Sequence, residues 1–112
     1  MTDDIDGFDH ALIGVVDLEA ARLQWQRLGF SICPRGKHIG WGTANYCIMF
    51  ADDYVELLGI VDESQFTNNL DVFLADHGEG LLGMAFASDR IEALAARLDG
   101  QPQDLKRQLE LP

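Results

Sequence analysis

The sequence predicts an α+β domain, a β-α-β-β-β unit followed by an incomplete copy made of helix, strand and helix. Three observations predict it. A short apolar run at residues 10–16 leads directly into a capped amphipathic helix, two strand-like runs at 43–51 and 54–61 flank Asp52-Asp53, and a strand followed by a helix recurs at 81–98.

Residues 10–16, His-Ala-Leu-Ile-Gly-Val-Val, form a short β-branched apolar run, the pattern of a strand buried on both faces. Asp17 offers a helix N-cap, Leu18, Ala21, Trp25 and Leu28 recur at helical spacing, and Gly29 supplies a left-handed stop. Residues 30–33 read as a second strand ended by Pro34, and the segment from Arg35 to Gly40 reads as a loop leading to Trp41. The runs 43–51 and 54–61 then make a hairpin around the tight polar connection Asp52-Asp53. From residue 8 to residue 61 the order is β-α-β-β-β.

In residues 66–77, Phe66, Leu70, Phe73 and Leu74 fall at helical spacing until Gly78-Glu79-Gly80 breaks the pattern, with His77 at the C-terminal end. A strand at 81–87 follows, then Asp89 as a cap and Ile91, Leu94, Ala95 and Leu98 on one helical face, closed by Gly100. Aligning the caps Asp17 and Asp89 gives Leu82 the position that His10 holds in the first unit. In the segment 101–112, Pro102 starts a short helix carrying Leu105, Leu109 and Leu111, which caps an edge or crosses to a neighbour; a frayed terminus is the other reading.

A chain of 112 residues is one domain, 1–112, with one hydrophobic core. The net charge of −11, from 19 acidic and 8 basic side chains, offers no basic stripe for phosphates, so no nucleic-acid partner is expected. The same charge is repelled by anionic membranes, no apolar run approaches bilayer length, and the acidic start lacks a secretory pattern; no membrane partner and a cytoplasmic location are expected. Cys33 and Cys47 fall in candidate strands and read as reduced core thiols.

The chemistry begins in the run 54–61. Side chains alternate along a strand, so Glu56 shares a face with Tyr54, Leu58 and Ile60. A carboxylate among apolar residues is costly to bury unless it is paired, protonated or bound to a cation. His10 opens the first strand, and imidazole with carboxylate is a common ligand pair for zinc, iron, manganese or nickel. The blander readings stand beside this: a hydrogen-bonded or surface histidine, and a strand-edge carboxylate facing water. Trp41, Thr43, Asn45, Cys47 and Met49 share a face by alternation, so that Trp41 and Asn45 line a pocket or, equally, Trp41 fills the core. His38 reads as a proton shuttle, an anion contact with Arg35 and Lys37, or a solvated loop residue.

The opening Phe8-Asp9-His10-Ala11-Leu12-Ile13-Gly14-Val15-Val16-Asp17, the junction Leu28-Gly29-Phe30, the segment Tyr54-Val55-Glu56-Leu57-Leu58 and above all the loop Gly36-Lys37-His38-Ile39-Gly40-Trp41-Gly42-Thr43-Ala44-Asn45 resemble a glyoxalase-like domain of the vicinal oxygen chelate superfamily. The resemblance implies a first module at 8–61, a partial second module at 66–100 and a tail at 101–112. It also implies a cup in a curved sheet where a small molecule binds, with or without a divalent metal. By the resemblance His10 and Glu56 take the first-module ligand positions; in an enzyme Glu56 or His38 is the candidate proton-moving group, and Trp41, Asn45 and Tyr54 are the candidate substrate contacts. Leu82 departs from the pattern, because it cannot ligate a metal. Half of a second module would leave sheet edges open, so a homodimer is expected to complete the fold. Three functions follow: a small-molecule binder, a metal-dependent lyase, isomerase or dioxygenase, or a non-catalytic dimerisation or regulatory module.

Overall fold

The computed structural model describes residues 4–105 and 107–112. Among these described residues, six strands and three helices follow in the order β1 (Gly7–Gly14), α1 (Leu18–Arg27), β2 (Gly36–His38), β3 (Thr43–Met49), β4 (Tyr54–Ile60), α2 (Leu70–His77), β5 (Gly80–Ala87), α3 (Ile91–Arg97) and β6 (Leu109–Glu110). The strands form one mixed sheet in the order β5-β1-β4-β3-β2-β6, in which only β1 and β4 run parallel. That parallel pair is the crossover of the β-α-β-β-β unit.

One face of the sheet carries the core. Leu18 and Ala21 of α1 pack on Ala44, Tyr46 and Ile48 of β3 and Leu57 of β4, with Val15, Trp25 and Phe30 closing the cluster. The helix starts where its cap is expected: Asp17 Oδ1 accepts from the Ala20 amide at 3.0 Å, and Gly29 ends it at φ 104°. Gly59 is required on this face, because a Cβ there would stand 2.9 Å from Leu18 Cβ. The β3–β4 hairpin turns at Asp52-Asp53, with the Phe50 amide donating to the Asp53 carbonyl at 2.9 Å.

Several elements differ from the sequence expectation. Residues 30–33 form no strand; the second strand lies instead at Gly36–His38, inside the expected loop. Pairing with β3 selects it: Gly36 lies opposite Asn45, and a Cβ at Gly36 would meet Asn45 Oδ1 at 2.6 Å, so a larger residue would have to displace the Asn45 side chain. Residues 66–69 are not helical. The Phe66 carbonyl accepts from the Gly42 amide at 2.7 Å, and Asn68 and Asn69 hold positive φ, a state asparagine tolerates better than most residues. Asp89 does not cap α3; its amide donates to Asp6 Oδ2 at 2.7 Å, and Arg90 takes the cap position. The left-handed turn after α3 is at Asp99 rather than Gly100.

The tail is a strand rather than a helix: β6 pairs with β2, Lys37 opposite Glu110 and His38 opposite Leu109. It caps one edge of the sheet. The first strand begins at Gly7 and is only partly covered, so it is not buried on both faces. Among the described residues, none beyond Leu70 is buried, and Ile91 and Leu98 of α3 are exposed. The apolar residues of the second, partial unit thus remain largely open to water, whereas the first unit holds the core.

Candidate functional site

The site is built on the sheet face opposite α1, and the strand registers set its rows. His10 pairs with Tyr54, Leu12 with Glu56 and Gly14 with Leu58 across β1 and β4. On the other side of β4, Met49 pairs with Tyr54, Cys47 with Glu56 and Asn45 with Leu58. Paired residues share a face, so His10, Tyr54, Glu56, Asn45, Cys47 and Thr43 all project to this one side. His10 and Glu56 therefore lie on one face in adjacent rows, while no direct contact joins them.

A register slip shapes the first row. Phe8 pairs with Phe86 and His10 with Ala85, which leaves Asp9 as an extra residue in β1. Such a bulge re-aims side chains that strict alternation would send to opposite faces. Asp9 Oδ2 accordingly lies 2.6 Å from His10 Nδ1, and the imidazole stacks on Tyr54 with centroids 4.4 Å apart and planes 11° off parallel. The carboxylate fixes the ring. Burial, and next the Glu56 carboxylate, raise the Tyr54 phenol above its ordinary range.

Glu56 is 5% exposed. Its Oε1 accepts from Asn45 Nδ2 at 3.2 Å, whereas Oε2 is buried and, among the described residues, has no hydrogen-bond partner. Beside it, burial first and then Glu56 push the Cys47 thiol up to about 11.

His38, expected in a loop, is in β2 and only 3% exposed. Its Nδ1 is 2.7 Å from Thr43 Oγ1, and its ring stands 5.7 Å from that of Trp41. Burial, followed by the Arg107 charge, lowers the His38 pKa, so the neutral ring is favoured. Trp41 meets Phe66 edge to face at 5.0 Å, and the Arg107 guanidinium lies 5.9 Å over its indole. Lys37 Nζ donates to the Trp41 carbonyl at 2.5 Å and holds the turn. Gly42 lets the loop close, since a Cβ there would fall 2.1 Å from the Asp62 carbonyl oxygen.

A cavity of about 100 Å³ opens between these groups, bordered by His38, Trp41, Thr43, Leu58, Leu82 and Arg107. Leu82 is itself the extra residue of a second register slip, between the Leu12–Gly83 and Ile13–Leu81 pairs. The structure thus gathers His38 and Trp41 at this cavity and His10, Tyr54, Glu56 and Asn45 in the neighbouring rows. Sequence reasoning missed Asp9, Thr43 and Arg107. Asp9 is adjacent to His10, but alternation argued against their meeting; nothing local points to Arg107.

The expected metal was tested on these donors. Among the described residues no three His, Cys, Asp or Glu side chains stand close enough to hold one ion. Tight sites ordinarily use three or more protein ligands, so His10 and Glu56 of one chain do not by themselves fit a metal.

The mixed sheet with its parallel crossover pair is the architecture of a glyoxalase-like domain. Residues 8–109 match the glyoxalase-like domain family, and the chain belongs to it. No curated protein matches the sequence. Among solved structures, methylmalonyl-CoA epimerase from Mycobacterium tuberculosis is 22% identical with a TM-score of 0.69, over 88% of this chain and 67% of that one. A variant of the Streptomyces coelicolor epimerase in complex with 2-nitronate-propionyl-CoA is also 22% identical, with a TM-score of 0.67 over 85% and 71%. A hypothetical protein from Bacillus halodurans is 18% identical, with a TM-score of 0.67 over 82% and 65%. At these identities the likeness establishes the fold. No helix among the described residues is long and apolar enough to cross a membrane.

Proposed function

We propose that this chain is a small-molecule-binding glyoxalase-like domain whose ligand lies on the sheet face opposite α1, over Glu56 and the cavity beside His38 and Trp41. The observation that carries it is the bare Oε2 of Glu56. Leaving a buried acceptor without a partner costs about 1–3 kcal/mol, more when it is charged, and a bound ligand bearing a donor relieves that cost. Asn45 holds the carboxylate from one side, Tyr54 and Trp41 offer aromatic walls, and His10 is oriented by Asp9.

Native mass spectrometry of untagged protein purified without chelator tests this. A retained or saturably added small molecule, lost in Glu56→Ala, supports the reading. Equal retention by the parent and Glu56→Ala sinks it.

A second reading is a proton-transferring isomerase, favoured by the epimerase structures among those similar to this chain. In it, Glu56 and His38 move the proton. His10 and Glu56 contribute to holding a divalent zinc, nickel, manganese or iron ion, with further donors from outside the described chain. Deuterium wash-in at the acidic carbon of methylmalonyl-CoA, together with metal analysis of the parent and of His10→Ala, separates the two readings.

The assembly proposed is a homodimer. β5 is an edge strand whose Leu81, Met84 and Phe86 are exposed, and a second copy would cover them. A monomer at micromolar concentration in equilibrium ultracentrifugation ends that proposal.

A further inference from the structure

Among the described residues, Arg107 is a cation without a carboxylate partner, in a chain of net charge −11. Among the described residues its contacts are the Trp41 ring at 5.9 Å and the border of the 100 Å³ cavity. No carboxylate of the described residues lies within ion-pair distance of it, although acidic side chains outnumber basic ones 19 to 8. The nearby Lys37 is occupied, its Nζ donating to the carbonyls of Trp41 and His38. The rest of the cavity is lined by His38, Thr43 and Trp41 on the β2–β3 side, by Leu12, Leu58, Leu70 and Leu82 on the other, and by Thr67 and Asn68 from the segment before α2. Glu56 lies one row away and does not border the space.

A guanidinium is a strong and geometrically specific partner for a carboxylate. The distant acidic surface does not cancel it, because charges more than about 8 Å apart through solvent are largely screened at physiological salt. The leucines meanwhile favour an alkyl body, which an inorganic anion lacks. At ordinary interior packing density the volume admits a ligand of roughly four or five non-hydrogen atoms.

We infer that this cavity takes a short-chain carboxylate, its charge beside Arg107 and its alkyl end against Leu12, Leu58, Leu70 and Leu82. The inference rests on the binding reading above and deepens it for the cavity end of that site alone, since Glu56 does not border this space and a carboxylate brings no donor to its Oε2. It also assigns Arg107 as the residue that selects for charge. The terminal strand β6 begins two residues after Arg107 and pairs with β2, so the segment that supplies the cation is tied to the strand that supplies His38.

Nitrogen-15 NMR titrations at constant ionic strength test it with three probes: propionate, its neutral isostere propionamide, and inorganic phosphate. The expected result is saturable shifts from propionate at the amides of His38, Trp41 and Thr43, with propionamide and phosphate at least tenfold weaker. Arg107→Gln, at an exposed position whose loss leaves the core intact, lowers propionate affinity at least tenfold, and Arg107→Lys restores part of it. Equal binding of propionamide, stronger binding of phosphate, unchanged affinity in Arg107→Gln, or no saturable shift from propionate each overturns the inference. The wider binding reading fails on a different measurement, the retention of ligand by Glu56→Ala in native mass spectrometry, so the two failures are distinguishable.

Discussion

The side-chain amide of Asn45 reaches one oxygen of the Glu56 carboxylate, at 3.2 Å, and leaves the other buried and bare. A structural role alone would favour a neutral side chain of the same shape. Glu56→Gln is therefore expected to stabilise the protein by about 1 kcal/mol while weakening ligand binding, the mark of a residue kept at a cost to the fold. Urea unfolding reads it as a higher midpoint at unchanged slope. A lower midpoint would show that the carboxylate serves the fold instead.

His38 makes stability depend on pH. Burial and then Arg107 lower its pKa in the folded state below the ordinary value of 6.5, so between the two values the unfolded chain binds a proton that the folded chain does not. Its contribution is favourable above about 6.5 and declines as pH falls from there to the lowered folded value. Urea midpoints between pH 7.5 and 5 should fall more steeply for the parent than for His38→Gln, which has no such proton to exclude. Parallel slopes would contradict the assignment.

Cys47 should resist alkylation. With its thiol pushed from 9.0 to about 11, the thiolate fraction near neutral pH is about a hundredfold below that of an ordinary cysteine, and thiolate is the reactive form. Iodoacetamide at pH 8 followed by peptide mass spectrometry should leave Cys47 unmodified under conditions that saturate it in urea. Glu56→Gln should speed the reaction, since the carboxylate is the second cause of the shift.

Gly42 is the tight point of the Trp41–Asn45 loop. Its amide and carbonyl are both engaged, by Phe66 and by Val61 and Asp62, and a Cβ would collide with the Asp62 backbone. Gly42→Ala is expected to cost about 3 kcal/mol, because neither neighbour is the free end of a side chain. Thermal unfolding checks it; a melting temperature within two degrees of the parent would place the loop's constraint elsewhere.

Where local chemistry suffices, the chain is legible from its residues. Asp17 caps α1 because a carboxylate before an amphipathic run satisfies exposed amides, and Asp52-Asp53 turns the β3–β4 hairpin. Period-two alternation sets Tyr54, Glu56 and Leu58 on one face, as the registers show. The loop before Asn45, which carries the family resemblance, is legible for the same reason, since Gly42 sits where a Cβ would meet the Asp62 backbone.

What only the tertiary structure decided are the features that depend on distant strands. β2 forms at Gly36–His38 because β3 offers a groove beside Asn45, not because its three residues favour extension. Asp9 turns toward His10 because the register with β5 slips by one. The terminal segment is a strand because β2 has an open edge, and that pairing brings Arg107 to Trp41 from more than sixty positions away. Hydrogen bonds between strands, register and cavity walls are properties of pairs of segments, and no single stretch of sequence contains both members of the pair.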